Sequence, residues 1–163
     1  MHHMWMIRAD GGRLVQPFLH HRMAAVNFGP SREFGRPVDH DELYRWAERW
    51  YPTMSPAGWT NGAKQMRFLL DAMRDGHSVI TYDPRERRYH LGRVTGDYRY
   101  RPDTPLPNHP ATGFAYVHAR DVDWRRAVSR DDLSAPAKRH LHQLKTIFLI
   151  DPVVAEELLD KAK

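Results

Sequence analysis

The chain has 163 residues, is 41% hydrophobic and carries a net charge of +5, so we expect one domain, residues 1–163, with a buried core. The lack of cysteine excludes disulfide scaffolds, thiolate zinc sites and thiol catalysis, and it suits a reducing cytoplasm. No run in the sequence approaches the roughly 20 apolar residues of a membrane-spanning helix, so we expect a cytoplasmic protein with no membrane partner.

The predicted elements follow from hydrophobic spacing and turn residues. In chain order they are a strand at 4–7, a short helix at 14–19, a strand at 23–28, a helix from 38 that ends before Pro52, a loop at 53–58, a helix at 63–73, strands at 78–82 and 89–95, a proline-rich loop at 102–110, strands at 114–117 and 122–124, a helix at 134–144, a strand at 146–150 and a closing helix at 152–159. Short strands and helices without strict alternation predict an α+β fold around a small curved sheet or barrel. Trp46 and Trp50 have the spacing of core residues.

The positive charge of the chain is concentrated in its middle. Residues 61–101 contain 9 basic and 5 acidic side chains, which leaves 16 of the 25 basic and 15 of the 20 acidic side chains for the rest. Such a local surplus is typical either of a phosphate-binding surface or of an ordinary solvated face. Five arginines on a predicted hairpin turn and just after it are the candidate phosphate contacts: Arg85, Arg87, Arg88, Arg99 and Arg101.

The sequence contains none of the spacings that common catalytic or metal sites require. There is no acidic-x-Lys strand of a Mg²⁺-dependent nuclease, no HExxH, no GxSxG and no phosphate-binding GxxxxGK[ST]. We therefore expect no metal, no cofactor and no covalent catalysis. One enzyme hypothesis stays open, a small nucleotide-processing enzyme that uses Asp97 and a histidine as acid and base.

Residues 58–82 resemble the signature of EVE-type domains in the PUA-like superfamily. The matching residues are Gly58, Asn61, Ala63, Gly76, Val79 and Tyr82, with His77 where an acid is usual. The chain is still more similar to the N-terminal reader domain of Mrr-like, modification-dependent (type IV) restriction proteins. That similarity runs from Trp5 through the Val-x-Thr-Tyr-Asp segment at 79–83 and the Gly-x-Val-Thr-Gly-Asp-Tyr segment at 92–98 to Thr146 and Phe148.

The resemblance implies a PUA-like fold, an EVE- or YTH-like curved sheet or barrel flanked by helices. It also implies a binding module, not an enzyme, that recognises modified DNA and flips the base, most simply 5-methylcytosine, into an aromatic pocket. The partners would be methylated duplex DNA and a nuclease domain or subunit. The candidate pocket residues are Trp59, Asn61, Tyr82, Trp5, Phe28 and Asp97.

Two alternatives remain for these assignments. Asn61 could read a base edge or cap the helix that follows it. Because PUA-like modules also read RNA, an RNA-binding module is the second hypothesis for the chain.

Overall fold

The computed structural model describes residues 3–29, 31–35 and 37–163. Its centre is one curled seven-stranded sheet. The strands are β1 Met4–Ile7, β2 Met23–Val26, β3 Ser78–Asp83, β4 Arg88–Val94, β5 Arg99–Tyr100, β6 His118–Ser129 and β7 Ile147–Leu149.

The strand order is β2-β6-β4-β3-β1-β7, and β5 pairs with the first residues of β6. The β1–β3 pair is parallel and all other pairs are antiparallel. The long strand β6 bends the sheet because residues 118–121 pair with β2, whereas residues 122–129 pair with β4. A bulge at Leu91/Gly92 adds to the curvature where β4 meets β6.

Five α-helices flank the sheet in the described part of the chain. They are α1 Val15–His21, α2 His40–Trp50, α3 Pro56–Arg67, α4 Ala135–Leu141 and α5 Pro152–Lys161. A π-helical turn, Phe68–Ala72, continues α3. Together with the mixed sheet, these helices confirm the predicted α+β fold class.

The sheet has an apolar core on each face, because successive side chains of a strand point to opposite sides. Strand β1 places Trp5 and Ile7 in the core that α1, α2 and α3 cover. It places Met4 and Met6 in the opposite core, which α4 and α5 cover. The first face and the loops at its edge carry the cleft described below.

Two predicted elements are wrong. Residues 58–61 lie inside α3, because Ser55 caps the helix by accepting a hydrogen bond from Gly58 N (3.1 Å) and Pro56 occupies its first turn. Asn61 therefore does not cap a helix. Residues 114–117 form no strand, and β6 begins only at His118. No helix in the described residues is long and apolar enough to cross a membrane.

Candidate functional site

A cleft opens between α2, α3 and the loops that follow β2 and precede β7. It consists of two cavities of about 390 and 380 Å³ that share Phe28, Tyr51 and Thr146 as a common wall. We call the first the helix-side cavity, the second the loop-side cavity, and the two together the aromatic cleft. Each cavity falls in the size range of small-molecule binding pockets.

One face of α3 forms the floor of the helix-side cavity. Gly58, Asn61, Gly62 and Gln65 all line it, and their i, i+3, i+4, i+7 spacing places them on one stripe of the helix. The two glycines leave space where side chains would stand, and the two amides supply donors and acceptors. The Gln65 Oε1 accepts hydrogen bonds from the backbone N–H groups of residues 146 and 147, both at 3.0 Å, which fixes the loop across the cavity.

Helix α2 supplies the aromatic wall. Trp46 and Tyr51 both line the helix-side cavity, and their rings meet edge to face with centroids 6.0 Å apart. The buried indole N–H of Trp46 has no hydrogen-bond acceptor among the described residues. A buried donor without an acceptor costs free energy in the folded protein.

The mouth of the cleft is apolar and exposed. Met54, Phe114 and Leu144 line it, and all three belong to the exposed large apolar side chains of the described residues. Trp50 was predicted to be a core residue, but it is 43% exposed and contacts Phe114 edge to face at 6.2 Å. Clustered apolar exposure around a concave site marks a binding surface.

A polar network closes the far end of the loop-side cavity. Arg13 Nε donates to Asp10 Oδ2 at 2.8 Å, and the Tyr116 hydroxyl lies 3.2 Å from both the Arg13 Nη2 and the Asp10 Oδ2. Burial is the main cause that raises the pKa of Tyr116, so its hydroxyl stays protonated at neutral pH. The network holds the loop before β6 against the turn after β1.

Of the six predicted pocket residues, Phe28 and Asn61 line the aromatic cleft. Trp59 lies outside its lining: the Trp59 indole donates to Tyr51 O at 2.7 Å and so positions a residue that does line it. Trp5 is buried in the core beneath the sheet. Asp97 is exposed in the turn between β4 and β5.

Tyr82 occupies the opposite face of the sheet. It stacks on Tyr89 with centroids 4.6 Å apart and an interplanar angle of 27°, and it packs against the core under α4 and α5. Trp59 packs against the other core. The structure therefore does not bring Trp59 and Tyr82 together at one rim.

Four of the five predicted phosphate contacts already have carboxylate partners. Arg87 pairs with Asp131 at 2.6 Å, Arg88 with Glu86 at 3.5 Å, Arg99 with Asp121 at 3.0 Å and Arg101 with Asp103 at 3.9 Å. Hydrogen bonding to Asp131 raises the pKa of Arg87. Arg85 is the one member of the set that forms no ion pair within the described ranges.

Sequence spacing did not reveal one group that could hold a metal ion. Asp83, Glu86 and His90 offer ligand atoms within 4.8 Å of one another. The hairpin register brings them together, because His90 lies opposite Thr81 and hence on the same sheet face as Asp83. The Asp83 carboxylate also accepts from Arg85 N at 2.9 Å, as a turn residue does.

Sequence reasoning missed several residues of the cleft. Trp46 has the helical spacing of a core residue, and it is buried, so only its N–H without an acceptor distinguishes it. Phe114 and Leu144 lie in loops, although the sequence predicted a strand at 114–117 and a helix at 134–144. The proline-rich segment 102–110, shortly before Phe114, was the available indication of a loop.

Three comparisons with known proteins bear on this structure. A family model described as "Domain of unknown function (DUF8426)" matches residues 5–151. No curated protein matches the sequence significantly. The fold is similar to that of the YTH domain of the Zygosaccharomyces rouxii MRB1 protein, solved in complex with N6-methyladenosine RNA. The identity is 12%, the TM-score is 0.50, and the match covers 98% of this chain and 85% of that one. This likeness supports the predicted PUA-like fold.

Proposed function

The chain belongs to the DUF8426 family, and we propose that it is a nucleic-acid-binding module that takes a modified base into the aromatic cleft. The observation that carries the proposal is the combination in one concave site of the aromatic residues Phe28, Trp46 and Tyr51 with the side-chain amides of Asn61 and Gln65. The YTH domain with the similar fold was solved with a modified RNA, which supports a role of the same general kind.

The physical balance of base insertion fits such a cleft. Extruding a base from a duplex costs a few kcal/mol, and stacking on an aromatic side chain returns about 1 to 3 kcal/mol per base. Phe28 stands between the two cavities and is the natural stacking partner. Asn61 and Gln65 supply hydrogen bonds for the edge of the base.

We propose duplex DNA containing 5-methylcytosine as the ligand, because the sequence resembles reader domains of modification-dependent restriction proteins. The module, residues 1–163, would be the specificity domain of such a system in the cytoplasm, with the nuclease on another domain or subunit. A buried methyl group contributes about 0.8 kcal/mol, so its selectivity over cytosine would be about fourfold per site from this source.

RNA is the second candidate ligand. The YTH domain that shares the fold was solved with RNA containing N6-methyladenosine, and a cleft that stacks one base does not by itself select the sugar. Competition between methylated duplex DNA and methylated RNA for the labelled protein separates the two ligands. DNA is the better competitor if the restriction-type role is right.

The test is Phe28→Ala in a binding assay on one duplex, either unmodified or carrying 5-methylcytosine, 5-hydroxymethylcytosine or N6-methyladenine. Loss of stacking should weaken binding of the preferred modified duplex by roughly 5- to 150-fold. The preference over plain duplex should disappear, and weak, salt-sensitive binding should remain.

Phe68→Ala is the matched control. Phe68 is also partly buried, and it packs on Trp5 at 5.0 Å outside the cleft. Thermal unfolding of both variants checks their folding. Equal preference for the modified duplex in Phe28→Ala and Phe68→Ala would place base recognition outside the aromatic cleft.

A further inference from the structure

A third cavity, on the opposite face of the sheet, is lined by basic side chains. It has a volume of about 280 Å³, and Arg8, Arg130, Lys138 and His142 contribute to its wall. No aspartate or glutamate lines it. We call it the cationic cavity, and we infer that it binds a phosphate group of the nucleic acid whose base enters the aromatic cleft.

The cations are held in place by different elements. Arg8 follows β1, and its Nε donates to Lys145 O at 3.1 Å. Arg130 begins the 3₁₀ turn after β6 and lines the cavity together with Tyr89. Lys138 belongs to α4. All three are partly buried, so their charges are incompletely solvated.

Arg8, Arg130 and Lys138 form no ion pair with a carboxylate within the described residues, unlike most hairpin arginines. The acid next to Arg130 in sequence, Asp131, is exposed and pairs with Arg87 at 2.6 Å. The hydrogen bond to Arg87 is the main cause that lowers the pKa of Asp131, and the charges of Lys138 and Arg130 also lower it. Burial lowers the pKa of Arg8, as expected for a cation that leaves water without a counterion.

Phosphate is the ligand that this chemistry fits. Its oxygens accept several hydrogen bonds at once, which suits two guanidinium groups, an ammonium group and a neighbouring tyrosine hydroxyl. The Tyr82–Tyr89 stack adds a flat apolar wall. Gly12 and Pro84 also line the cavity and lie close together. A Cβ at Gly12, whose φ is +95°, would come within 2.5 Å of Pro84 Cδ.

The cationic cavity lies next to the aromatic cleft. Arg8 and Gly11 line both the cationic cavity and the loop-side cavity. A nucleotide in the cleft would therefore have its neighbouring phosphodiester within reach of Arg8, and this step rests on the proposed function. The phosphate could instead come from a free nucleotide, which offers the same group.

The test compares Lys138→Gln with Arg139→Gln. The two residues are adjacent in α4 and lose the same charge, but only Lys138 lines the cavity. Lys138→Gln should weaken oligonucleotide binding about tenfold. It should also reduce the salt slope of the affinity by about 0.9 on duplex DNA or about 0.7 on a single strand. Arg139→Gln should change the affinity little, and the ratio between modified and plain ligand should be the same in both variants.

A second measurement uses inorganic phosphate and a nucleoside monophosphate as probes. The NMR resonances of the Arg8 and Arg130 side chains should shift on titration in the wild type and in Arg139→Gln, and much less in Lys138→Gln. If the phosphate-induced shifts of Arg8 and Arg130 require Lys138 but the protein prefers no modified base, the proposed function fails and the phosphate site stands. Phosphate binding that needs Lys138, with oligonucleotide affinity that does not, would overturn the assignment to the nucleic-acid backbone. Identical behaviour of the two variants with every probe would overturn the site itself.

Discussion

Two tryptophans of the first face have indole N–H groups in contrasting states. Trp59 Nε1 donates to Tyr51 O at 2.7 Å, whereas the buried Trp46 Nε1 finds no acceptor in the described chain. The first hydrogen bond stabilises the folded protein, whereas the second donor costs free energy because it is buried without an acceptor. The same chemical group thus stabilises the fold at one position and destabilises it at the other.

We expect Trp46→Phe and Trp59→Phe to differ in their effect on stability. Trp46→Phe should change the free energy of unfolding little, because it removes a buried donor that has no acceptor. Trp59→Phe should lower the free energy of unfolding by about 1 kcal/mol more than Trp46→Phe, because it leaves Tyr51 O without its donor. Urea unfolding of both variants measures the difference.

The substitutions remove the same atoms from the same type of ring, so each serves as the control for the other. Equal free energies of unfolding in the two variants would contradict the contrast between the two N–H groups.

At the scale of elements, predictions were accurate where local chemistry decides the outcome. The β3–β4 hairpin, the helix capped by Asp39 and the helix that begins at Pro152 were all predictable, because caps, prolines and alternation act within a few residues. Gly58 suggested a loop, but the Ser55 cap with Pro56 in the first turn overrode the low helix propensity of glycine.

The aromatic cleft was less predictable than the elements that build it. Phe28 and Asn61 were identified from motif position, but Phe114 and Leu144 enter the cleft through loops whose path depends on tertiary contacts. Tyr82 follows the motif helix closely in sequence, yet strand alternation sends it to the other face of the sheet. Tyr82 therefore lies on the face of the sheet opposite to the one against which Trp59 packs.

Gly92 at the β4–β6 bulge is a sharp test of the curled sheet. A Cβ at this position would lie 2.6 Å from Val122 Cγ1 and 2.9 Å from the backbone Asp123 O. Because the backbone cannot move aside without breaking the ladder, Gly92→Ala should lower the free energy of unfolding by about 1 to 3 kcal/mol. Urea unfolding measures this loss.

Gly35→Ala is the control for the glycine-to-alanine change. Apart from the chain neighbours of Gly35, no described residue lies within 4 Å of a Cβ at this position, and its φ lies outside the left-handed region, so the added methyl should have little effect. A Gly92→Ala protein as stable as Gly35→Ala would contradict the close approach of β4 to β6.

At the scale of the whole molecule, the sheet separates two kinds of binding chemistry. The aromatic cleft lies with the core of α1, α2 and α3, and the cationic cavity borders the core under α4 and α5. Arg8, just after β1, belongs to the lining of both the loop-side and the cationic cavities. A ligand that occupies both the aromatic cleft and the cationic cavity would cross this end of the sheet.

The alkaline stability of the protein is a further property of the whole molecule. Burial is the first cause that raises the pKa of Tyr51, Tyr89 and Tyr116. In the unfolded chain these phenols titrate near pH 10. The stabilisation that these phenols contribute is therefore complete below about pH 10. It is lost as the pH rises through their higher pKa values in the folded protein, because the unfolded chain releases its protons first.

We expect the free energy of unfolding to fall above about pH 10, by up to about 1.4 kcal/mol per pH unit for each of the three groups. Urea unfolding between pH 8 and pH 11 measures the fall. Tyr51→Phe should make it less steep, because burial alone raises the pKa of Tyr51 and its removal deletes one titrating group. If the free energy of unfolding fell equally steeply with pH in the wild type and in Tyr51→Phe, the Tyr51 hydroxyl would be in contact with water in the folded protein. Burial would then not raise its pKa.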